Sequence, residues 1–213
     1  MGRLKKRRRK FGQEADIPFK KEKKSLTGPI VFAILVIGIM SLSAVGLIQG
    51  NDTSGTVRLP YNDFKFKTDQ NNNWIGEVDD EEYVFYNHPL NVEDLVLDEI
   101  ASTLLRTSAM ITMTSDVNST AAELIGGIEY DLATTLNSKG IATEYAFTTE
   151  NKYNKPVVDC SSSIPVNTVI YFKQSNQTSI RFANNCIIAE ATGQTNFIRI
   201  RDRLLFSIFG VMK

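Results

Sequence analysis

Residues 109–147 read AMITMTSDVNSTAAELIGGIEYDLATTLNSKGIATEYAF, and this stretch decides the fold. Residues 109–113 form a short strand. Thr120 and Glu123 then stand three apart, the spacing of a capping box in which each side chain satisfies an orphan N–H near the other. Leu124, Ile128, Leu132 and Leu136 recur every four residues along one face, and Gly140 supplies the stop, so the spacing predicts a helix over 120–138. Residues 141–147 return to strand character. Strand, helix, strand in that order predicts a parallel pair joined by a right-handed crossover.

Downstream, after a polar loop, residues 169–173 and 179–183 flank the polar stretch 174–178, which predicts a hairpin. Residues 186–189 add a strand. Residues 195–212 close the chain as an amphipathic helix with Leu204, Leu205, Ile208, Phe209 and Met212 on its apolar side. Upstream, residues 57–87 alternate in period two and carry Phe64, Phe66, Trp74, Ile75, Tyr83 and Phe85. The turn-forming or charged stretches 69–73 and 79–82 divide them into a three-strand antiparallel meander. His88 and Pro89 stop the third strand, and Asn91 opens a helix through Leu95, Ile100, Leu104 and Leu105.

The charge totals, 24 basic and 24 acidic residues, cancel, but their distribution does not. Residues 1–24 hold eleven basic residues against three acidic ones, a surplus of eight that the rest of the chain reverses. Between Ser25 and Asn51 there is no charge, and the run from Pro29 to Ile48 is dominated by aliphatic residues and Phe32. About 20 such residues cross a hydrocarbon core of roughly 30 Å while bonding every amide within the helix. Residues 25–50 are therefore predicted to be a transmembrane helix. Lys20, Lys21, Lys23 and Lys24 flank its entry side and keep the N-terminus in the cytoplasm. A cleaved signal peptide is the rival reading, with small residues at Ser41 to Ala44, but the apolar run continues to Ile48.

The expected organisation follows: a disordered basic cytoplasmic tail over 1–24, the membrane helix over 25–50, a linker over 51–56, and an extracytoplasmic mixed domain over 57–213. The fold class is α+β, one mixed sheet with packed helices and an N-terminal antiparallel meander, preceded by one transmembrane α-helix. The partners implied are the lipid bilayer, with anionic headgroups drawn to the tail at about 1 kcal/mol per nearby cation. Nucleic acid is disfavoured, because Phe11 and Phe19 alone interrupt the tail as stacking platforms.

The run Tyr61, Asn62, Asp63, Phe64, Lys65, Phe66, the later Trp74, Tyr83 to Tyr86 ending in His88–Pro89, Asn185 to Ile188 and Asp202 to Leu205 resembles an uncharacterised family of archaeal single-pass membrane-anchored proteins. The resemblance covers most of residues 57–213. It implies membrane anchoring and no particular activity.

Residues for chemistry are sparse. His88, the chain's one histidine, reads as a surface turn residue, since no second histidine or cysteine cluster completes a triad or metal site. No hydrolase elbow, zincin helix or P-loop occurs. Asp69, Asn71, Asn73 and Asp80 mimic a calcium loop, but Trp74 stands where that loop needs glycine. Residues 79–82, two Asp and two Glu, read as a solvated hairpin tip. Three Asn-x-Thr sequons, at Asn51, Asn118 and Asn176, are weak signals in a chain this rich in Asn, Ser and Thr. No catalytic residue and no cofactor is expected. The function expected is a non-enzymatic envelope or interaction module for an extracytoplasmic protein partner. The alternative is a tethered hydrolase or transferase using carboxylates or hydroxyls.

The chain has two cysteines, Cys160 and Cys186, both beyond the predicted membrane helix. An even count in an oxidising compartment predicts a disulfide. It would pin the polar loop around Cys160 onto the strand that Cys186 opens.

Overall fold

The computed structural model describes residues 56–164 and 166–213, all within one compact unit of the chain. Four strands open it: β1 (Arg58–Tyr61), β2 (Phe64–Thr68), β3 (Trp74–Val78) and β4 (Glu81–Phe85), paired in that order as an antiparallel sheet. The two-residue turn between β3 and β4 puts both Asp79 and Asp80 at positive φ, the backbone twist a tight hairpin demands and short polar side chains tolerate. In the middle of β3, Gly76 leaves room for aromatic rings. A Cβ there would lie 2.5 Å from a ring carbon of Phe66.

Strand β5 (Met110–Ser115), helix α2 (Ala122–Ser138) and strand β6 (Ala142–Phe147) follow the predicted strand, helix, strand order, and β5 and β6 are parallel with Met113 beside Tyr145. Gly140 ends the connection at φ 80°. The capping box is absent: Ala121 is the N-cap, and the Thr120 hydroxyl donates instead to Gln174 Oε1 at 2.8 Å. The single helix expected from Asn91 is broken. A 3-10 turn, Pro89–Val92, precedes helix α1 (Glu99–Thr107), whose Asp98 cap accepts from the Ile100 N–H. Between them Val92, Leu95 and Leu97 are all buried, at intervals of three and two that no single helix face supplies.

Strands β7 (Asn167–Gln174), β8 (Ser179–Ala183) and β9 (Cys186–Ala191) complete a mixed five-stranded sheet in the order β6-β5-β7-β9-β8. The predicted β7–β8 hairpin does not form. The tight turn lies one connection later, at Asn184 and Asn185, both at positive φ, so β8 pairs antiparallel with β9 and β9 runs parallel beside β7.

Helix α3 (Gln194–Ile208) occupies the middle of the unit, between the two sheets. Every residue from Ile200 to Phe209 is buried. Toward the antiparallel sheet, Phe206 stacks on Phe85 at 4.5 Å and meets Phe66 edge-on, while Phe209 packs on Tyr83. On its other side α3 packs against α1, α2 and β9. The polar residues of α3 are the unexpected part. Asp202, fully buried, accepts from the Tyr86 N–H at 3.0 Å, the Asn87 N–H at 2.7 Å and Asn87 Nδ2 at 2.8 Å. Arg201 donates to Asp202 Oδ1 at 2.7 Å, to the Val84 carbonyl at 3.0 Å and to Thr135 Oγ1 at 3.0 Å, and its guanidinium lies over the Tyr86 ring. Burial drives the Asp202 carboxyl upward, while Arg201 and Asn87 pull it down. Burial is the larger effect, so the net direction is upward, and the N–H donors facing the carboxyl limit that rise.

The predicted architecture is corrected on two points. There are two sheets and not one: Arg201 takes the Val84 carbonyl on β4, Asp202 takes the N–H groups of Tyr86 and Asn87 just past its end, and aromatic packing on α3 takes the place of further strand pairing. The transmembrane helix over 25–50 lies outside the described residues, and among these no helix is long and apolar enough to cross a membrane. The described fold is thus α+β, an antiparallel sheet and a mixed sheet separated by helices.

Of the predicted α2 stripe, Ile128, Leu132 and Leu136 are buried and Leu124 is half-buried, with Ile125 taking the first buried place. Ile128→Ala is expected to destabilise the protein by about 2–5 kcal/mol in denaturant titration. A change below about 0.5 kcal/mol, the size typical of surface positions, would contradict this packing.

Candidate functional site

In an open sheet with parallel strands, ligands gather outside the strands' carboxyl ends. Here a broad cleft of about 710 Å³ lies there, lined by Asp116, Ser119, Thr120, Lys173, Gln174 and Thr192 among others. Its walls are mostly hydroxyls and amides, with the Lys173 ammonium among them. Asp116 is the one carboxylate among its described lining residues, and its Oδ1 already accepts from the Asn118 N–H at 2.9 Å. The sequon residues Asn118 and Asn176 are both exposed and flank this cleft. Such a cleft offers hydrogen bonds to a polar ligand but no pair of acids converging on one point.

The edge of the mixed sheet at β6 has a different character. The Ala142 N–H bonds to the Ala109 carbonyl and the Thr148 N–H to the Ser115 carbonyl, so even-numbered residues turn their main chain toward β5. Odd-numbered residues therefore turn outward. At Phe147 the outward groups are taken, its N–H by the Pro156 carbonyl at 3.0 Å and its carbonyl by the Val158 N–H at 2.9 Å. Thr143 and Tyr145 face outward with no strand beside them among the described residues. Aromatic side chains frame this opening: Tyr130 is 69% exposed, Tyr153 is 55% exposed and stacks near Phe147, and the Lys155 ammonium lies 5.7 Å from the Tyr145 ring centre. An open strand edge ringed by tyrosines has the composition and geometry of a protein-binding surface.

Behind β6, on the buried side of α2, lies Glu129, 4% exposed, with Oε1 lacking any hydrogen-bond partner. Burial pushes its carboxyl up to about 7, opposed by a hydrogen bond with Ser115 at the end of β5. The Tyr145 hydroxyl is pushed up by burial and by the neighbouring Glu129 charge. An acid beside a serine hydroxyl is a base and nucleophile pair in kind. Both are closed from solvent, since Ser115 is 1% exposed. Sequence reasoning missed Glu129, although it interrupts the apolar face one turn from Ile125 and Ala133, and a carboxylate in that place is a visible signal.

Cys160 and Cys186 are joined in a disulfide with Cα atoms 4.9 Å apart, as predicted. It fastens the irregular segment 148–164 to the sheet face away from the helices, where the Thr114 hydroxyl also donates to the Val158 carbonyl at 2.8 Å. Closing this loop contributes about 3 kcal/mol on a chain-entropy account. Lys20, Lys21, Lys23 and Lys24 lie outside the described residues. His88 is no surface residue: it is 1% exposed and ringed by Tyr61, Phe66 and Trp74. The Leu59 carbonyl can only accept, so Nε2 carries the proton and Nδ1 accepts from the Leu90 N–H. The Asp69 carboxylate of the calcium-like loop is taken by the N–H groups of Asn71 and Asn73. Among the described residues no cluster of three or more metal-ligating side chains forms. Comparison of the chain with family models, curated proteins and solved structures finds no match.

Glu129 makes stability depend on pH. Its folded pKa lies above the unfolded value of 4.5, so the fold favours the protonated form. Its contribution is fully present below about pH 4.5 and is lost as pH rises through about 7, a span worth about 3 kcal/mol. Burial lowers the His88 pKa, so His88 acts in the opposite sense and costs stability as pH falls below about 6.5. Glu129→Gln should therefore stabilise the protein at pH 8 and leave it nearly unchanged at pH 4.5. Equal effects at the two pH values, by denaturant titration, would refute the buried neutral acid.

Proposed function

We propose that residues 57–213 act as a non-enzymatic extracytoplasmic interaction module, held at the cell membrane with the N-terminus inside, and that a protein partner docks on the open edge of β6. The observation that carries this reading is the pair of outward-facing residues Thr143 and Tyr145, set among exposed tyrosines. Partners that add a strand to such an edge gain main-chain hydrogen bonds without a deep pocket. Extracytoplasmic placement is supported by the Cys160–Cys186 bond, because disulfides persist in oxidising compartments. Membrane attachment is supported by the uncharged run from Ser25 to Asn51 beside the basic tail. The resemblance to archaeal membrane-anchored proteins agrees with this placement and names no activity.

The hydrolase or transferase alternative has its strongest group in Glu129, with Ser115 beside it. Their burial leaves no path to a substrate in this conformation.

A photo-crosslinking residue placed at Tyr145 in the native host should capture a discrete partner, and the same residue at Val96, which is 75% exposed, should not. Equal capture at the two positions, or none at Tyr145, would overturn the edge as the docking surface.

A further inference from the structure

We infer that the β6 edge takes an extended peptide segment carrying a basic residue at its centre, flanked on alternate positions by apolar or aromatic residues. This rests on the reading of β6 as a docking edge and specifies its partner. The alternation of β6 sorts the side chains around the open main chain. On the face away from the helices the sequence runs Ala142, Glu144, Ala146, and on the helix side Thr143 and Tyr145. Glu144 is half-buried, and no Lys or Arg pairs with it among the described residues. The Thr112 hydroxyl lies 3.3 Å from Glu144 Oε2 and nearer, at 3.0 Å, to Asn167 Oδ1. Ala142, small and exposed, leaves access to it from one side, while Ala146 on the other side is buried. A partly desolvated carboxylate lacking a counter-charge favours a cation delivered by the incoming strand, since opposite charges directly across a strand pair attract and like charges repel.

The same arrangement disfavours a second copy of this chain as occupant. Antiparallel pairing of two β6 edges about their centre would set Glu144 against Glu144 of the other copy. On the helix side, apolar residues at the flanking positions would lie against Tyr145 and Tyr130, covering exposed ring surface. The segment 156–158, which already holds the outward groups of Phe147, limits the added strand to the length of β6 before that point.

The test uses the full 213-residue chain and three short synthetic peptides: alternating valine and lysine, alternating valine and glutamate, and the valine–lysine peptide N-methylated at alternate residues. Hydrogen–deuterium exchange is followed by mass spectrometry over residues 141–147. The valine–lysine peptide should slow exchange of the Thr143 and Tyr145 amides about tenfold, corresponding to about 1.4 kcal/mol of protection. The N-methylated and glutamate peptides should give no protection, and Glu144→Gln should remove most of the lysine peptide's effect. Equal protection by the lysine and glutamate peptides would overturn the basic partner while leaving the edge as a docking surface. Protection that survives N-methylation would overturn strand addition. No protection by any peptide at millimolar concentration would overturn both this inference and the edge reading.

Discussion

The ion pair of Arg201 and Asp202 against the edge of β4 is the contact on which the two sheets depend. A guanidinium donating to the Val84 carbonyl and a carboxylate accepting from the Tyr86 N–H supply the donor and acceptor that a fifth strand would otherwise offer. The helix thus ends the sheet chemically as well as sterically. Taking both charges out of water is costly, and their attraction offsets that cost only when the remaining lone pairs and protons are also satisfied. Here Asn87 and Thr135 supply further hydrogen bonds, and Asp131 Oδ2 lies 3.1 Å from Arg201 Nε as a second counter-charge. With the polar groups placed, Phe66, Phe85, Phe206 and Phe209 can close the apolar layer around them.

This closure gives the sheet edges different fates. The edge of β4 is spent on α3, and β1 carries Pro60, which has no N–H to offer a further strand. In the mixed sheet the last residues of β6 are covered by the chain's own segment 156–158, fastened through Cys160 to Cys186. The middle of β6, where the tyrosines collect, stays open, and β8 forms the opposite edge of the mixed sheet. The proposed docking surface is then a consequence of topology. Strand β6 is an edge because α2 carries the chain outward from β5 and the return places β7 on the far side of β5.

Much of the local structure was legible in the sequence. The α2 stripe and the Gly140 stop announced the crossover, and two cysteines beyond an apolar run announced the disulfide. Sequence reasoning failed where partners are distant. Nothing within α3 says that its polar side will be covered by a sheet more than a hundred residues earlier, so the burial of Arg201 and Asp202 has no local signal. His88 misled for the same reason, since its aromatic neighbours come from β1, β2 and β3. The predicted hairpin falls on the polar stretch 174–178, whereas the tight turn forms at Asn184 and Asn185. The open edge of β6 was beyond local reading altogether, because strand order is a long-range property.

Unfolding followed by the fluorescence of Trp74, the chain's one tryptophan and a residue of β3, tests the central role of the ion pair most directly. Asp202→Ala would remove the fully buried carboxylate beside Arg201, leaving it only the half-buried Asp131, and strip the acceptor from Tyr86 and Asn87. The account predicts that the Trp74 transition loses about 3–5 kcal/mol of stability. A transition within about 0.5 kcal/mol of the parent protein would show that aromatic packing alone holds the two sheets together, and would contradict the account.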